Sequence, residues 1–193
     1  HYSNQLPHEA ATIHCVDAIQ EGTKQALLFS DFVAHGYQQA HATHSHIQAI
    51  INWLAHFHAF HLASSSEGLW PRGSYWHLAT RPDELQRMSD LSLKAQAQPI
   101  DTALSESPYQ TLIHGDAKLA NFAIAPQNQH VLGYDFQYVG KGVGVIDVMY
   151  FLGSCLDDTA LKSVADDYLN GYFDTLTLAL KRFQPSINPV RSE

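Results

Sequence analysis

The sequence has little of several features that mark whole classes of protein. It contains only two cysteines, Cys15 and Cys155, and no paired spacing, so neither a disulfide framework nor a thiolate metal site is expected. Eleven Lys and Arg residues stand against nineteen Asp and Glu, which gives a formal net charge of -8. Such a chain lacks the basic surface that binds phosphate backbones or anionic lipid, so neither nucleic acid nor membrane is an expected partner.

Long apolar runs are also missing from the sequence. No stretch approaches the roughly 18–20 apolar residues that a membrane span needs, and no charged segment followed by an apolar one marks a secretory leader. With so few cysteines, the expected location is the cytoplasm. What is present is 45% hydrophobic residues in a chain of 193, which is enough for one domain with a sizeable core.

The order of apolar positions predicts an α+β fold that is mainly α. Helical spacing predicts helices over 47–62, 82–88, 146–156 and 161–180. Ser45 is the predicted N-cap of the first of these, and Asp157 or Asp158 caps the last. Short apolar runs predict strands over 26–29, 109–113, 122–125 and 131–139. Residues 126–129 would join the last two strands into a hairpin, residues 1–25 are too interrupted for a long element, and 185–189 is a loop or frayed end.

The residues that carry chemistry follow the strand predicted over 109–113. Residues 114–121 read His-Gly-Asp-Ala-Lys-Leu-Ala-Asn, and Asp135 ends the second strand of the hairpin. Because a tight hairpin returns beside its own origin, Asp116, Asn121 and Asp135 are expected to meet at one point. Oxygen ligands of this kind suit Mg²⁺, which keeps water and completes its shell with substrate phosphates. An aspartate close by can accept the proton of a substrate hydroxyl, and phosphoryl transfer needs these parts.

These motifs resemble the catalytic and metal-binding loops of the protein-kinase-like fold, in the form H-x-D-x-K-x-x-N followed by Asp-Phe-Gln at 135–137. Gly115 and Gln137 point to the aminoglycoside phosphotransferase and choline kinase family. The wider runs at 69–82, 111–122 and 135–140 resemble bacterial members of its ecdysteroid-kinase-like branch. The resemblance spans about residues 26–183 and implies an enzyme that uses ATP and Mg²⁺ to phosphorylate a hydroxyl of a small molecule.

The resemblance implies a role for each matching residue of the two loops. Asp116 matches the catalytic aspartate that orients and deprotonates the acceptor hydroxyl. Lys118 lies where related kinases place a lysine on the γ-phosphate, and His114 matches a residue that braces the loop. Asn121 and Asp135 match the two metal ligands.

Further positions match the nucleotide site and a structural support. Ser30, Asp31 and Phe32 fall in the segment whose backbone hydrogen-bonds adenine, and Ala123 falls at the floor below the adenine ring. Asp147 matches the aspartate that anchors the catalytic loop from the following helix.

The main departure from the family pattern lies before the predicted hinge. Only residues 1–29 precede it, without a glycine-rich loop, and Lys24 is too close to the hinge to be the strand lysine that binds phosphate. The chain is therefore interpreted as a kinase-like C-terminal lobe at 34–193 after a remnant of the N-terminal lobe at 1–33. A second hypothesis stays open, in which the lobe is catalytically inactive and acts as a binding module.

Other patterns allow further interpretations of the same residues. A carboxylate metal hydrolase could use His114, Asp116 and Asp135 and would prefer Zn²⁺. His58 and His61 have helical metal-ligand spacing but no third ligand in sequence, so core or surface histidines are favoured.

Two segments outside the loops also have both a structural and a functional interpretation. Residues 140–144 read G-x-G-x-G, which differs from the dinucleotide-binding pattern and predicts a tight, flexible turn. The second segment carries three aromatic side chains, Trp70, Tyr75 and Trp76. They either pack an irregular segment onto the lobe or line an acceptor pocket, where aromatic faces would bind a cation.

Overall fold

The computed structural model describes residues 5–127 and 129–186. The described residues form a mixed α and β fold in which helices hold more residues than strands, as the sequence predicts. The helices are α1 His44–Phe60, α2 Pro82–Arg87, α3 Leu91–Glu106, α4 Val145–Cys155 and α5 Asp158–Phe183. The strands are β1 Cys15–Glu21, β2 Lys24–Phe29, β3 Gln38–Gln39, β4 Gln110–Ile113, β5 Phe122–Ala125, β6 His130–Gly133 and β7 Gly140–Val143. No described helix combines the length and the apolar character needed to cross a membrane.

Helix α1 forms the centre of the core. One face packs against α5, and Trp53 and Phe57 stack on each other with ring centroids 5.1 Å apart. Full burial of such side chains stabilises the fold by about 1.5–3 kcal/mol each. The predicted cap, Ser45, is wrong, because the helix begins at His44 and the side chain of Thr43 accepts the capping hydrogen bond.

The hairpin of β5 and β6 forms as predicted, with β3 added on its outer edge. Phe122 pairs with Gly133, where only glycine fits because a Cβ would lie 2.7 Å from the Trp53 ring. The second strand ends at Gly133 rather than at residue 139. Asp135 has a positive φ of 63°, so the chain leaves the sheet there. Residue 128, in the predicted turn, lies outside the described residues.

The glycine-rich segment at 140–144 is not the flexible turn that its composition predicts. Gly140 to Val143 form β7, which pairs antiparallel with β4. A Cβ at Gly142 would lie 2.7 Å from the Ile113 side chain, so glycine is needed here for close strand packing. The pairing places Gln110, at the start of β4, opposite Val143, and the chain enters α4 just after that residue.

Besides β3 and β7, the strand β1 and the helix α3 were absent from the sequence prediction. Strand β1 lies within the interrupted segment 1–25 and turns into β2 at Gly22, where φ is 60°. Helix α3 has no fully buried residue, so its apolar positions give little periodic signal. Its clearest local marker is Asp90, whose side chain accepts a hydrogen bond from the Leu93 N–H at 2.9 Å. Part of the loop predicted at 185–189 lies outside the described residues.

Candidate active site

The loop at 114–121 connects β4 to β5 and is anchored at its start by α4. The Asp147 carboxylate is 1% exposed and accepts from the His114 N–H at 2.6 Å and from the Gly115 N–H at 3.0 Å. Gly115 has a φ of 81°, and a Cβ there would overlap the carbonyl of Tyr138. Two constraints therefore fix the start of the loop: a buried acceptor, and a backbone turn that favours glycine.

His114 braces the loop from inside the protein. It is fully buried; its Nε2 donates to the Tyr134 carbonyl at 2.9 Å, and its Nδ1 accepts from the Asp116 N–H at 3.3 Å. Burial lowers the pKa of His114, which keeps the ring neutral and suits one donating and one accepting nitrogen. Because both ring nitrogens are engaged, His114 is not available as a metal ligand, which contradicts the hydrolase interpretation.

The structure brings Asp116, Lys118 and Asn121 together. Asp116 is 5% exposed, and its Oδ2 accepts from Lys118 Nζ at 2.8 Å and from Asn121 Nδ2 at 3.1 Å. Asn121 Nδ2 also donates to the Asp116 carbonyl at 2.8 Å. The hydrogen bond from Lys118 to Asp116 is the main reason that the pKa of Lys118 is raised, so its ammonium stays charged.

Asp135 lies beside this group, exposed to solvent in the left-handed backbone region. The register of the hairpin places it there, because the Tyr134 N–H donates to the Asn121 carbonyl at 3.1 Å. The negative charge of Asp135 acts on both Lys118 and His114. Asp135 therefore lies near the loop that holds Asp116 and Asn121.

A second anchor from α4 was not found by sequence reasoning. Ser154 Oγ accepts from the Leu119 N–H at 3.0 Å and donates to the Phe151 carbonyl at 2.7 Å. Ser154 lies seven residues after Asp147, so the two side chains fall on nearly the same face of the helix. A signal was present in this spacing, but a serine inside an apolar helix does not by itself indicate a contact to a loop.

The residues assigned to the nucleotide lie in two segments: Ser30 to Phe32 directly follow β2, and Ala123 lies within β5. The Ser30 N–H donates to the His14 carbonyl at 2.9 Å, and Asp31 Oδ1 accepts from the Val33 N–H at 2.9 Å. The Phe32 ring stacks on Tyr134, directly before Asp135, with centroids 5.4 Å apart. Ala123 is fully buried in β5 and pairs with residues of β3 and β6.

A cavity of about 580 Å³ lies between the β1–β2 hairpin and the loop around Asp135. Its walls include Phe29, Tyr134 and Asp135, but not Ser30, Asp31, Phe32 or Ala123. The volume is within the range of small-molecule sites, about 300–1,000 Å³. The structure therefore brings Phe29, at the end of the predicted adenine strand, to a cavity that reaches Asp135, whereas the three residues that follow Phe29 do not line it.

The aromatic segment lies along the chain that follows Asp135. Trp70 Nε1 donates to the Gln137 carbonyl at 2.8 Å, and the Ser74 N–H donates to the Tyr138 carbonyl at 3.1 Å. The guanidinium of Arg81 lies 4.4 Å from the Tyr75 ring centroid and 3.7 Å from that of Trp76. A cationic acceptor on those two rings would have to displace the protein's own cation.

The histidines of α1 do not form a metal site with other residues of the described chain. His58 and His61 are both buried, which agrees with a core position. Within residues 5–127 and 129–186, no group of three His, Cys, Asp or Glu side chains is placed to hold a metal.

The loop that presents Asp116, Lys118 and Asn121, with Asp135 on the adjoining hairpin, is the arrangement of a kinase-like protein. Residues 74–184 match the model of the ecdysteroid kinase-like family. The match covers more than half of the chain, which therefore belongs to the ecdysteroid kinase-like family. Membership identifies the chain, at a coarse level, as a relative of small-molecule phosphotransferases. No curated protein matches the sequence.

Proposed function

We propose that the protein transfers the γ-phosphoryl group of ATP to a hydroxyl of a small molecule with the help of Mg²⁺. One observation carries the proposal: the Asp116 carboxylate is held by Lys118 and Asn121 in a loop whose start is tied to a buried carboxylate. Phosphoryl transfer depends mainly on positioning and on neutralising phosphate charge, and a rigid loop with a fixed carboxylate and a fixed cation supplies both.

In this proposal Asp116 accepts the proton of the acceptor hydroxyl. Its Oδ2 is already bonded to Lys118 and Asn121, which leaves Oδ1 for the substrate. Lys118 is charged and 39% exposed at its side chain, so its ammonium can contact the transferred phosphoryl group while remaining beside Asp116. His114 keeps the loop in shape without touching the substrate.

The residues present fit a magnesium ion. Asn121 Nδ2 is committed to Asp116, so the amide oxygen is the atom that Asn121 can offer to a metal. Asp135 is exposed and offers a carboxylate close by. Two hard oxygen donors suit Mg²⁺, which would offset the charge of the nucleotide phosphates at this point.

The proposal also covers the organisation of the chain and its location. Residues 34–193 would form the kinase-like C-terminal lobe, with residues 1–33 as part of the N-terminal lobe and its hinge, in a cytoplasmic protein. Ser30, Asp31 and Phe32 would bind adenine above Ala123. The stacking of Phe32 on Tyr134 supports a link between the adenine segment and the residue before Asp135.

The test is transfer of labelled γ-phosphate from Mg·ATP to a panel of hydroxylated small molecules, including aminoglycosides and amino alcohols. Asp116→Asn should lower turnover about 10²–10⁴-fold, because it removes the general base. Calorimetry should show unchanged binding of Mg·ATP, and Asp166→Asn, which neutralises an exposed aspartate, serves as the control. Full transfer activity in Asp116→Asn would contradict the proposal.

A second function, a binding module without catalysis, is favoured by one observation. Every residue of β1 and β2 is exposed, including large apolar side chains on both strands, such as Ile19 and Leu28. Calorimetry with Mg·ATP separates the two functions. Micromolar affinity corresponds to about 8 kcal/mol of binding free energy and would contradict a lobe that has lost its nucleotide site.

A further inference from the structure

Asp147 receives a third hydrogen bond, which comes from outside the loop that it anchors. His58 Nε2, on α1, lies 3.1 Å from Asp147 Oδ2, the same oxygen that accepts from the His114 N–H. His58 Nδ1 in turn lies 2.9 Å from the hydroxyl of Tyr172 on α5. Tyr172, His58, Asp147 and the loop backbone thus form one continuous buried series of hydrogen bonds.

The direction of these bonds is set by the groups at the two ends. A carboxylate only accepts, so His58 Nε2 carries a proton and donates it to Asp147. Burial raises the pKa of Tyr172, so the phenol keeps its proton and donates it to His58 Nδ1. Tyr172 therefore fixes the ring orientation and the tautomer in which His58 supports Asp147.

A second pair of the same kind provides an internal comparison. His44 of α1 lies 2.8 Å from the hydroxyl of Tyr168 on α5, one helical turn before Tyr172. Both tyrosines are buried, at 6% and 2% exposure. The pair of His44 and Tyr168 has no contact with Asp147 among the described residues, so it joins the two helices without reaching the loop.

Gly144, the residue before α4, leaves the space in which the inner pair sits. A Cβ there would lie 2.5 Å from the Tyr172 hydroxyl and 2.6 Å from His58 Nδ1. The backbone of Gly144 has φ −55° and ψ −30°, which any residue adopts. A methyl group at this position therefore acts on the pair and not on the backbone.

We propose that His58 and Tyr172 are positioning residues of the active site, which hold the Asp147 carboxylate in the orientation that fixes the loop carrying Asp116. The inference rests on the proposed function for its effect on turnover. Its structural part, the support of the His114 and Gly115 amides, can be tested on its own.

Tyr172→Phe is the first variant, with Tyr168→Phe as its matched control. Substitution of the outer-shell partners of metal ligands typically lowers activity about 10–100-fold, and Tyr172 acts on the loop in a comparably indirect way. Tyr172→Phe should lower kcat about 10-fold with less than a twofold change in KM for ATP. Tyr168→Phe should leave both constants unchanged. Amide hydrogen exchange of a peptide covering 113–117 should become faster in Tyr172→Phe only.

Gly144→Ala is the second variant, with Gly153→Ala as its control because a Cβ at Gly153 meets nothing within 4 Å. Gly144→Ala should reproduce the loss of kcat and the faster exchange at 113–117, and Gly153→Ala should do neither. Equal effects from both tyrosine variants, or from both alanine variants, would overturn the proposal, because they would reflect general destabilisation.

The two proposals fail in different ways. If the unaltered protein shows no phosphoryl transfer, the proposed function fails, and the exchange measurement still decides the positioning role. Faster exchange at 113–117 in Tyr172→Phe alone supports that role. Unchanged exchange overturns it, whatever the activity.

Discussion

Asp147→Asn replaces one buried carboxylate oxygen with an amide nitrogen at the point where the loop is anchored. Asn has one acceptor oxygen, whereas Asp147 uses both of its oxygens to accept from the His114 and Gly115 amides. If the Asn oxygen faces Gly115, its NH₂ group meets the His114 N–H, donor against donor. If it faces His114, the Gly115 N–H loses its partner. At least one buried N–H is left without an acceptor in either orientation.

The expected loss of stability follows from the number of buried N–H groups left without an acceptor. A buried donor without a partner costs about 1–3 kcal/mol. Removing the charge weakens the remaining hydrogen bonds, but it also removes the desolvation cost of a buried carboxylate, and these two effects oppose each other. The free energy of unfolding should therefore fall by about 1–3 kcal/mol in Asp147→Asn.

The assay is urea unfolding followed by circular dichroism, with the m-value compared to show that the same surface is exposed. Asp166→Asn is the matched control, because it makes the same change at an exposed position of α5 and should stay within about 0.5 kcal/mol of the unaltered protein. An effect of Asp147→Asn no larger than that of Asp166→Asn would refute the anchoring role.

Three further predictions concern other contacts of the fold. Ser154→Ala should lower kcat by about 3- to 10-fold, because the Leu119 N–H loses its acceptor and the loop is held less firmly. Ser163→Ala removes a hydrogen bond to a carbonyl three residues earlier, as Ser154→Ala also does, and should leave kcat unchanged. Equal kcat values in the two variants would count against Ser154 as the second anchor of the loop. Gly115→Ala should lower the free energy of unfolding in urea more than Gly22→Ala does. Both positions have a positive φ, which costs an alanine roughly 1–2 kcal/mol, but only at Gly115 would the new Cβ overlap backbone atoms. Equal losses of stability would disprove this close approach. Burial, with a smaller contribution from a neighbouring histidine, lowers the pKa of His61 from 6.5 to about 4, so the unfolded chain binds more protons than the folded chain between these two pH values. Stability should fall as the pH drops from 7 to 5, by about 1–2 kcal/mol from this group, and His61→Leu should show a flatter dependence in the same unfolding assay; an unchanged slope would contradict a neutral buried ring.

The parts of the fold that could be predicted from sequence are those with strong local signals. Helix α5 has an apolar stripe and a capping aspartate, Asp157, which accepts from the Thr159 and Ala160 amides. The hairpin of β5 and β6 has two apolar runs around a turn. Helix α3 could not be predicted because it buries no residue fully and so has little apolar periodicity. Strand β7 was hidden by its glycines, because the need for glycine at Gly142 depends on Ile113, a residue distant in sequence.

The candidate site shows the same division between local and long-range information. The spacing from Asp116 to Asn121, and the return of the hairpin to Asp135, are local, so their convergence could be predicted. Ser154 and Tyr172 act through contacts that join separate helices and loops, and no local pattern marks them. The cavity that reaches Asp135 depends on how the β1–β2 hairpin sits over the loop, which the sequence does not specify locally.

Both anchors of the loop, Asp147 and Ser154, belong to α4, so the length of this helix sets the distance between the two points at which the loop is held. Seven residues separate Asp147 from Ser154, a rise of about 10 Å along the axis. One residue inserted between them would rotate Ser154 by about 100° and remove it from the Leu119 amide. The length of α4 is therefore as constrained as its anchoring side chains.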